Sequence, residues 1–171
     1  RLADSLGKDL IVLEGSGAAI PPVHADATLL VVGAGQGLPY VRDFFGPFRL
    51  GLADAVVIAG AEEPIVSGSD LAELVAAVRR VREDVPIALV TFRPRPLADV
   101  AGARVFFATT APASLLPVLS NHLKAAHGCE VVGASPHLSN RALLREDMCA
   151  LAGRYDLLVT ELKAAAIDVV A

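Results

Sequence analysis

Seven short apolar runs punctuate the chain, at residues 10–13, 29–32, 55–59, 87–92, 104–108, 130–134 and 156–160. Most are built of Val, Ile, Leu or Phe without the period-two alternation of a half-exposed strand, so they predict strands covered on both faces, as in a parallel sheet. Between the runs the period changes. Leu71, Leu74, Val75, Val78 and Val81 recur at three- and four-residue steps, which predicts a helix over residues 69–84 with Arg79, Arg80 and Glu83 on its outer face. Asp70 followed by Glu73 resembles a capping box, and Pro86 supplies a stop. A second helix is predicted over residues 112–126, with Leu115, Leu116, Leu119 and Leu123 inward and Pro117 tolerated in the first turn. A third begins at Ser139 and buries Leu144, Met148 and Leu151.

Strands alternating with helices across short connections predict the α/β class, with a mostly parallel sheet, helices on both faces and right-handed crossovers. The segment Arg93-Pro94-Arg95-Pro96-Leu97-Ala98-Asp99 breaks the alternation. Two prolines in a charged stretch after a strand indicate a domain boundary or a fixed loop over a ligand, and the boundary is placed at residue 99, giving lobes of residues 1–99 and 100–171.

Composition narrows the class. Hydrophobic residues make up 54% of the 171 and charged residues 20%, too apolar for disorder. No apolar run approaches the ~18 residues of a membrane span, and the first residues lack the pattern of a secretory signal, so a cytoplasmic protein without a membrane partner is expected. There is no initiating Met, which leads to the expectation that the chain begins inside a longer polypeptide. A net charge of −4 with only short Lys/Arg groups argues against a nucleic-acid partner. Cys129 and Cys149 are outside any C-x-x-C spacing and read as buried free thiols rather than metal ligands. His24, His122, His127 and His137 show no metal-ligand spacing and read as surface or supporting residues.

The candidate chemistry begins at Glu14-Gly15-Ser16-Gly17, followed by Ala18-Ala19-Ile20-Pro21-Pro22. The segment leaves a predicted strand, and ligands of open α/β sheets bind at the carboxyl edge. Gly15 and Gly17 let backbone approach an anion, and Glu14 would hold magnesium directly or through water; the alternative is a tight strand exit with a solvated Glu. Gly7-Lys8 is followed by Asp9 and has no glycine five residues earlier, so it is not a Walker motif. Gly33-Ala34-Gly35-Gln36-Gly37-Leu38 misses the dinucleotide fingerprint at Leu38 and is either a loop or part of a phosphate pocket. Arg93 and Arg95, stiffened by Pro94 and Pro96, are either ordinary surface arginines or a clamp for phosphate or a base. Glu161 and Lys163 share one face of an extended segment, where they form either an ion pair or part of a polyphosphate site. Arg141 opens a helix whose amides can also receive an anion.

The Glu14 segment resembles the post-strand motif of dethiobiotin-synthetase-like P-loop enzymes. Together with Val90-Thr91-Phe92-Arg93-Pro94-Arg95-Pro96, Val105-Phe106-Phe107-Ala108-Thr109-Thr110-Ala111-Pro112 and the stretch from Thr160 and Glu161 to Asp168 and Val169, it resembles the cyclic 2,3-diphosphoglycerate synthetase family over nearly the whole chain. The resemblance implies the C-terminal part of a P-loop NTPase-like domain followed by a smaller α/β lobe. It further implies an ATP-dependent ligase that closes an intramolecular phosphoanhydride in 2,3-diphosphoglycerate, with Mg2+ as the nucleotide's partner and K+ as activator. Substrate-binding and P-loop segments would precede Arg1, this chain alone would be inactive, and a homodimer is left open. On that footing Glu14, Gly15, Ser16, Gly17, Arg93 and Arg95 are expected at the nucleotide, with Glu14 also at the metal. Arg141 and Lys163 are expected at the substrate, and Lys163 and Glu161 at the reacting groups. Two alternatives are a nucleotide-binding regulatory module of GTPase type and a kinase or ligase for a different small acid.

Overall fold

A computed structural model of the chain describes residues 5–15, 23–43 and 45–162. Among these residues six strands form two three-stranded parallel sheets: β1 (Leu29–Gly33), β2 (Ala55–Ala59) and β3 (Ile87–Val90) in the order β1-β2-β3, then β4 (Arg104–Ala108), β5 (Glu130–Ser135) and β6 (Leu157–Thr160) in the order β5-β4-β6. The first sheet aligns Val31 with Val57 and Val57 with Ala88, and the second aligns Phe107 with Ala134 and Val159. Two parallel sheets make all six carboxyl ends available for loops that face a ligand.

The run at residues 10–13 is corrected: it forms no strand, and Leu10 and Val12 are 77% and 80% exposed. An extended segment becomes a strand only where a neighbour takes up its backbone N–H and C=O groups. Among the described residues β1 pairs with β2 alone, and residues 10–13 have no ladder to join.

Helix α1 (Leu38–Arg42), α2 (Gly46–Leu52) and α3 (Gly68–Val81) pack on the first sheet, where Val32, Val56 and Ile58 meet Val41, Leu50, Leu74 and Val78 in one buried cluster. On the other face Val31 is 58% exposed. Helices α1 and α2 escape the periodicity reading because five and seven residues are too few to display a repeat. Their prolines, Pro39 and Pro47, look like breakers in sequence but occupy the first turn, where no backbone N–H is needed. Helix α3 starts earlier than the capping reading placed it. Ser67 is the N-cap, its hydroxyl accepting from the Asp70 N–H at 3.1 Å, so Asp70 is the third helical residue rather than the cap.

The second sheet carries helices on both faces. Val105 and Phe107 pack beneath α4 (Leu116–His127) with Leu119 and Leu123, whereas Phe106 and Ala108 face α5 (Arg141–Ala150) with Leu144 and Met148. Helix α4 ends at Gly128 in the left-handed conformation, φ 66°, and α5 is capped by Asn140, whose side chain accepts from the Leu143 N–H. The β4–β5 register shifts between Val105 and Phe106, which leaves an extra residue in β5 immediately before Gly133. A Cβ at Gly133 would press into the Leu151 side chain and lie 3.2 Å from the Phe106 ring. Gly133→Ala is therefore expected to lower stability by about 1–3 kcal/mol through overpacking, measured by urea unfolding.

Candidate functional site

A cavity of about 910 Å3 opens between the carboxyl edges of the two sheets. Its floor is apolar, with Val100, Phe107, Leu115 and Leu119 from the second lobe, and its rim is polar, with Gln36, Glu62, Arg93, Arg95, Thr109 and Glu161. Such a volume, apolar inside and edged by a few charged groups, suits a small organic ligand with an anionic part. The positions follow from topology. Gly33 and Gly35 leave β1, Glu62 follows β2, Arg93 and Arg95 follow β3, Thr109 and Thr110 follow β4, and Glu161 follows β6.

Arg93 makes a two-pronged ion pair with Glu62, Nη1–H to Oε1 at 2.6 Å and Nη2–H to Oε2 at 2.5 Å, and a further bond to the Phe92 carbonyl at 2.9 Å. The hydrogen bond between them lowers the Glu62 carboxyl below its usual range and raises the Arg93 guanidinium, so both stay charged. This pair ties the Pro94–Pro96 loop back to the exit of β2. Arg95, two residues on, is exposed at the same cavity and makes no hydrogen bond or ion pair among the described residues.

Glu161 is bound on the other side of the cavity. Its Oε1 accepts from the Thr109 hydroxyl at 2.6 Å, the Thr110 N–H at 2.7 Å and the Thr110 hydroxyl at 2.9 Å, and its Oε2 also accepts from that last hydroxyl at 2.9 Å. Burial pushes this carboxyl up, but the Thr109 and Thr110 hydrogen bonds outweigh it and hold the group ionised below its ordinary range. Thr109 in turn accepts from the Ala111 N–H at 3.0 Å, so one carboxylate organises the whole turn after β4. Thr160 lines the same wall, with its hydroxyl buried and unpaired among the described residues.

The structure thus brings together Arg93, Arg95 and Glu161 from the sequence-predicted set, and of the two readings of the glycine cluster after β1 it puts Gly33, Gly35 and Gln36 in the cavity wall. Glu14 and Gly15 are described but exposed, and they are not part of the cavity lining. Ser16, Gly17 and Lys163 lie outside the described residues. Arg141 is exposed at the first position of α5 and is not among the lining residues. Among the described residues no three His, Cys, Asp or Glu side chains gather into a metal-ligand set. None of the helices in the described residues is long and apolar enough to cross a membrane. Glu62, Thr109 and Thr110 were not singled out for a role in the sequence, although Glu62 stands where a strand exit would put an acid, two residues past Gly60.

Parallel α/β lobes whose carboxyl edges converge on one cavity have the architecture in which open α/β proteins place their small-molecule sites. The comparisons carry this further. Residues 1–91 match the P-loop domain of cyclic 2,3-diphosphoglycerate synthetase, and residues 96–171 match its C-terminal domain; the chain belongs to this family. The cyclic 2,3-diphosphoglycerate synthetase of Methanothermus fervidus is 44% identical over 169 residues, 99% of this chain and 37% of the relative. That of Rubrobacter xylanophilus is 46% identical over 170 residues, 99% of this chain and 38% of the relative. That of Methanothermobacter thermautotrophicus is 44% identical over 167 residues, 98% of this chain and 36% of the relative. The chain therefore spans little more than a third of the length of these relatives.

Proposed function

We propose that this chain forms part of the catalytic site of an ATP-dependent ligase that closes the phosphoanhydride ring of cyclic 2,3-diphosphoglycerate from 2,3-diphosphoglycerate. The observation that carries the reading is the cavity between the two sheets in a chain of this family, with Arg95 uncommitted among the described residues on one rim and the Glu161-organised threonine turn on the other. Family and cavity together favour this over a regulatory nucleotide module. Closing a ring between two phosphates requires positive charge and oriented donors to offset their repulsion. ATP would enter with its base toward the apolar floor and its phosphates toward Arg95, while Arg93, held by Glu62, keeps the loop in place. Magnesium in such sites is carried mainly by nucleotide phosphates and one or two carboxylates, and the family resemblance assigns one of these to Glu14, which is exposed and outside the cavity lining. Lys163 is assigned to the substrate phosphates and K+ to activation, whereas Glu161 acts by positioning Thr109 and Thr110. The lobes divide near residue 99, the setting is cytoplasmic, and the chain by itself is inactive because it has no G-x-x-x-x-G-K-[ST] motif.

The test is turnover by a polypeptide in which this chain continues an upstream segment homologous to that of the relatives. It is incubated with ATP, Mg2+ and 2,3-diphosphoglycerate and followed by phosphorus NMR. A new cyclic-anhydride signal with release of ADP is expected. ATP binding without ADP release would overturn the ligase reading in favour of the regulatory module. ADP release without the cyclic product would leave a different acid as substrate.

In the same protein Arg95→Ala is expected to weaken ATP binding about tenfold, the loss of one charge-assisted phosphate contact, measured by calorimetry. Glu62→Gln, which frees Arg93 from a partly exposed ion pair, is expected to have the smaller effect of about 1 kcal/mol, and on stability rather than on binding.

A further inference from the structure

At the carboxyl edge of the second sheet, on the α5 side and outside the cavity lining, three side chains form a connected group that the ligase reading does not use. Ser135 is fully buried, and its hydroxyl donates to Asp147 Oδ2 at 2.6 Å. His137 Nδ1 lies 2.9 Å from the same oxygen, and the His137 backbone N–H donates to the Ser135 hydroxyl at 3.1 Å. An ionised carboxylate only accepts, so the ring proton is on Nδ1 and the neutral ring presents Nε2 as a base. Burial pushes the Asp147 carboxyl up, but the hydrogen bonds from Ser135 and His137 outweigh it and keep the group ionised. Asp147 and His137 are each 38% exposed, so the ring is oriented yet reachable from solvent. Ser135 is not a nucleophile here, since its hydroxyl is buried against Asp147 and fixes the carboxylate.

The group is tied to the wall of the cavity. The Leu138 N–H donates to the Thr109 carbonyl at 3.3 Å and the Thr109 N–H to the Ser135 carbonyl at 3.0 Å, so the His137 turn is bonded to the strand end that holds Glu161. The charged residues of α5 are Arg141, Arg145, Glu146 and Asp147, of which Asp147 meets His137, and Glu161 past β6 is bonded to Thr109 and Thr110.

We propose that His137 is an acid–base residue of this edge, its Nε2 taking the proton of a phosphate monoester monoanion bound there. The proposal rests on the reading of the site as one for a diphosphorylated substrate. The proton passes from phosphate oxygen to Nε2, the N–H bond forms as the O–H bond breaks, and no electrons change hands. The product is a phosphate dianion beside an imidazolium whose charge Asp147 compensates. The dianion is the better nucleophile for attack on an activated second phosphate, and the imidazolium returns its proton to the inorganic phosphate released.

The experiment reads His137 by long-range proton–nitrogen NMR in this chain, titrated with 2,3-diphosphoglycerate, and by steady-state turnover in the extended polypeptide. Expected are an Nδ1–H tautomer in the free protein and protonation of Nε2 on adding the probe. Asp147→Asn, which keeps the side-chain shape, should abolish the tautomer preference and weaken the probe about tenfold. His137→Gln should lower kcat at least about tenfold with the KM for ATP unchanged. A cyclic product formed at wild-type kcat by His137→Gln overturns the proposal while leaving the ligase reading intact. Probe-induced protonation of Nε2 without any cyclic product upholds a phosphate site at His137 and removes the ligase reading. No response of His137 to the probe in either protein overturns the proposal.

Discussion

Phe106→Ala is expected to lower the unfolding free energy by about 3–5 kcal/mol, the range for deleting a large aromatic side chain from a core that cannot collapse around the void. Phe106 is 1% exposed at the centre of β4, the middle strand of the second sheet, and packs with Leu138, Leu144 and Met148. Its ring lies 5.4 Å from that of Tyr155, centroid to centroid, and the missing Cβ of Gly133 makes room on the β5 side. The neighbours belong to β4 and β5, to α5 and to the turn before β6, so no single element can move in to fill the space. Urea denaturation with an unchanged slope is the measurement. A loss under about 1 kcal/mol would show that the α5 face is loosely packed.

Glu161→Ala is expected to lower stability by about 2 kcal/mol and to disorganise the cavity rim, because one carboxylate serves three donors and the Thr109 hydroxyl it satisfies is buried. Glu161→Gln, which retains one acceptor oxygen, should lose about half of this. Protonation has a matching consequence. The native carboxyl is held below its ordinary value of 4.5, so its contribution is complete above that pH and disappears as the pH falls through the lower native value. The stability difference between the wild type and Glu161→Gln should therefore be constant from neutral pH to about pH 5 and shrink on further acidification. A difference that grew as the pH fell would mean that the threonine hydrogen bonds do not favour the ionised form.

These two residues differ in how legible they were. Phe106 stands in an unbroken apolar run, Val105-Phe106-Phe107-Ala108, and such a run between turn signals predicts a buried strand. The run at residues 10–13 has the same local character and forms no strand, since a parallel strand exists only through its neighbours. Helix α3 announced itself by period, whereas its cap did not, since both Ser67 and Asp70 are acceptable acceptors and only the backbone decides which of them precedes the first turn. Among candidate site residues, Arg93, Arg95 and Glu161 were visible as charges at strand exits. Their partners were not: Glu62 is 31 residues from Arg93, and Thr109 is 52 from Glu161.

The amino-acid sequence alone determined the class of the fold and five of the six strands among the described residues to within a residue or so at each end, because buried parallel strands and amphipathic helices leave distinct periods in the order of apolar residues. It also determined the family, through motifs at strand exits that the comparisons match across both lobes. Only the tertiary structure decided that the strands divide into two sheets, that their carboxyl edges meet at one cavity, and that Arg93 is engaged by Glu62 while Arg95 has no partner among the described residues. It likewise turned an isolated loop histidine into a ring oriented by Asp147 and Ser135. The reason is range. Periodicity is a local property of the backbone, whereas a site is assembled from hydrogen bonds between residues far apart in sequence, and nothing in the local pattern specifies those pairings.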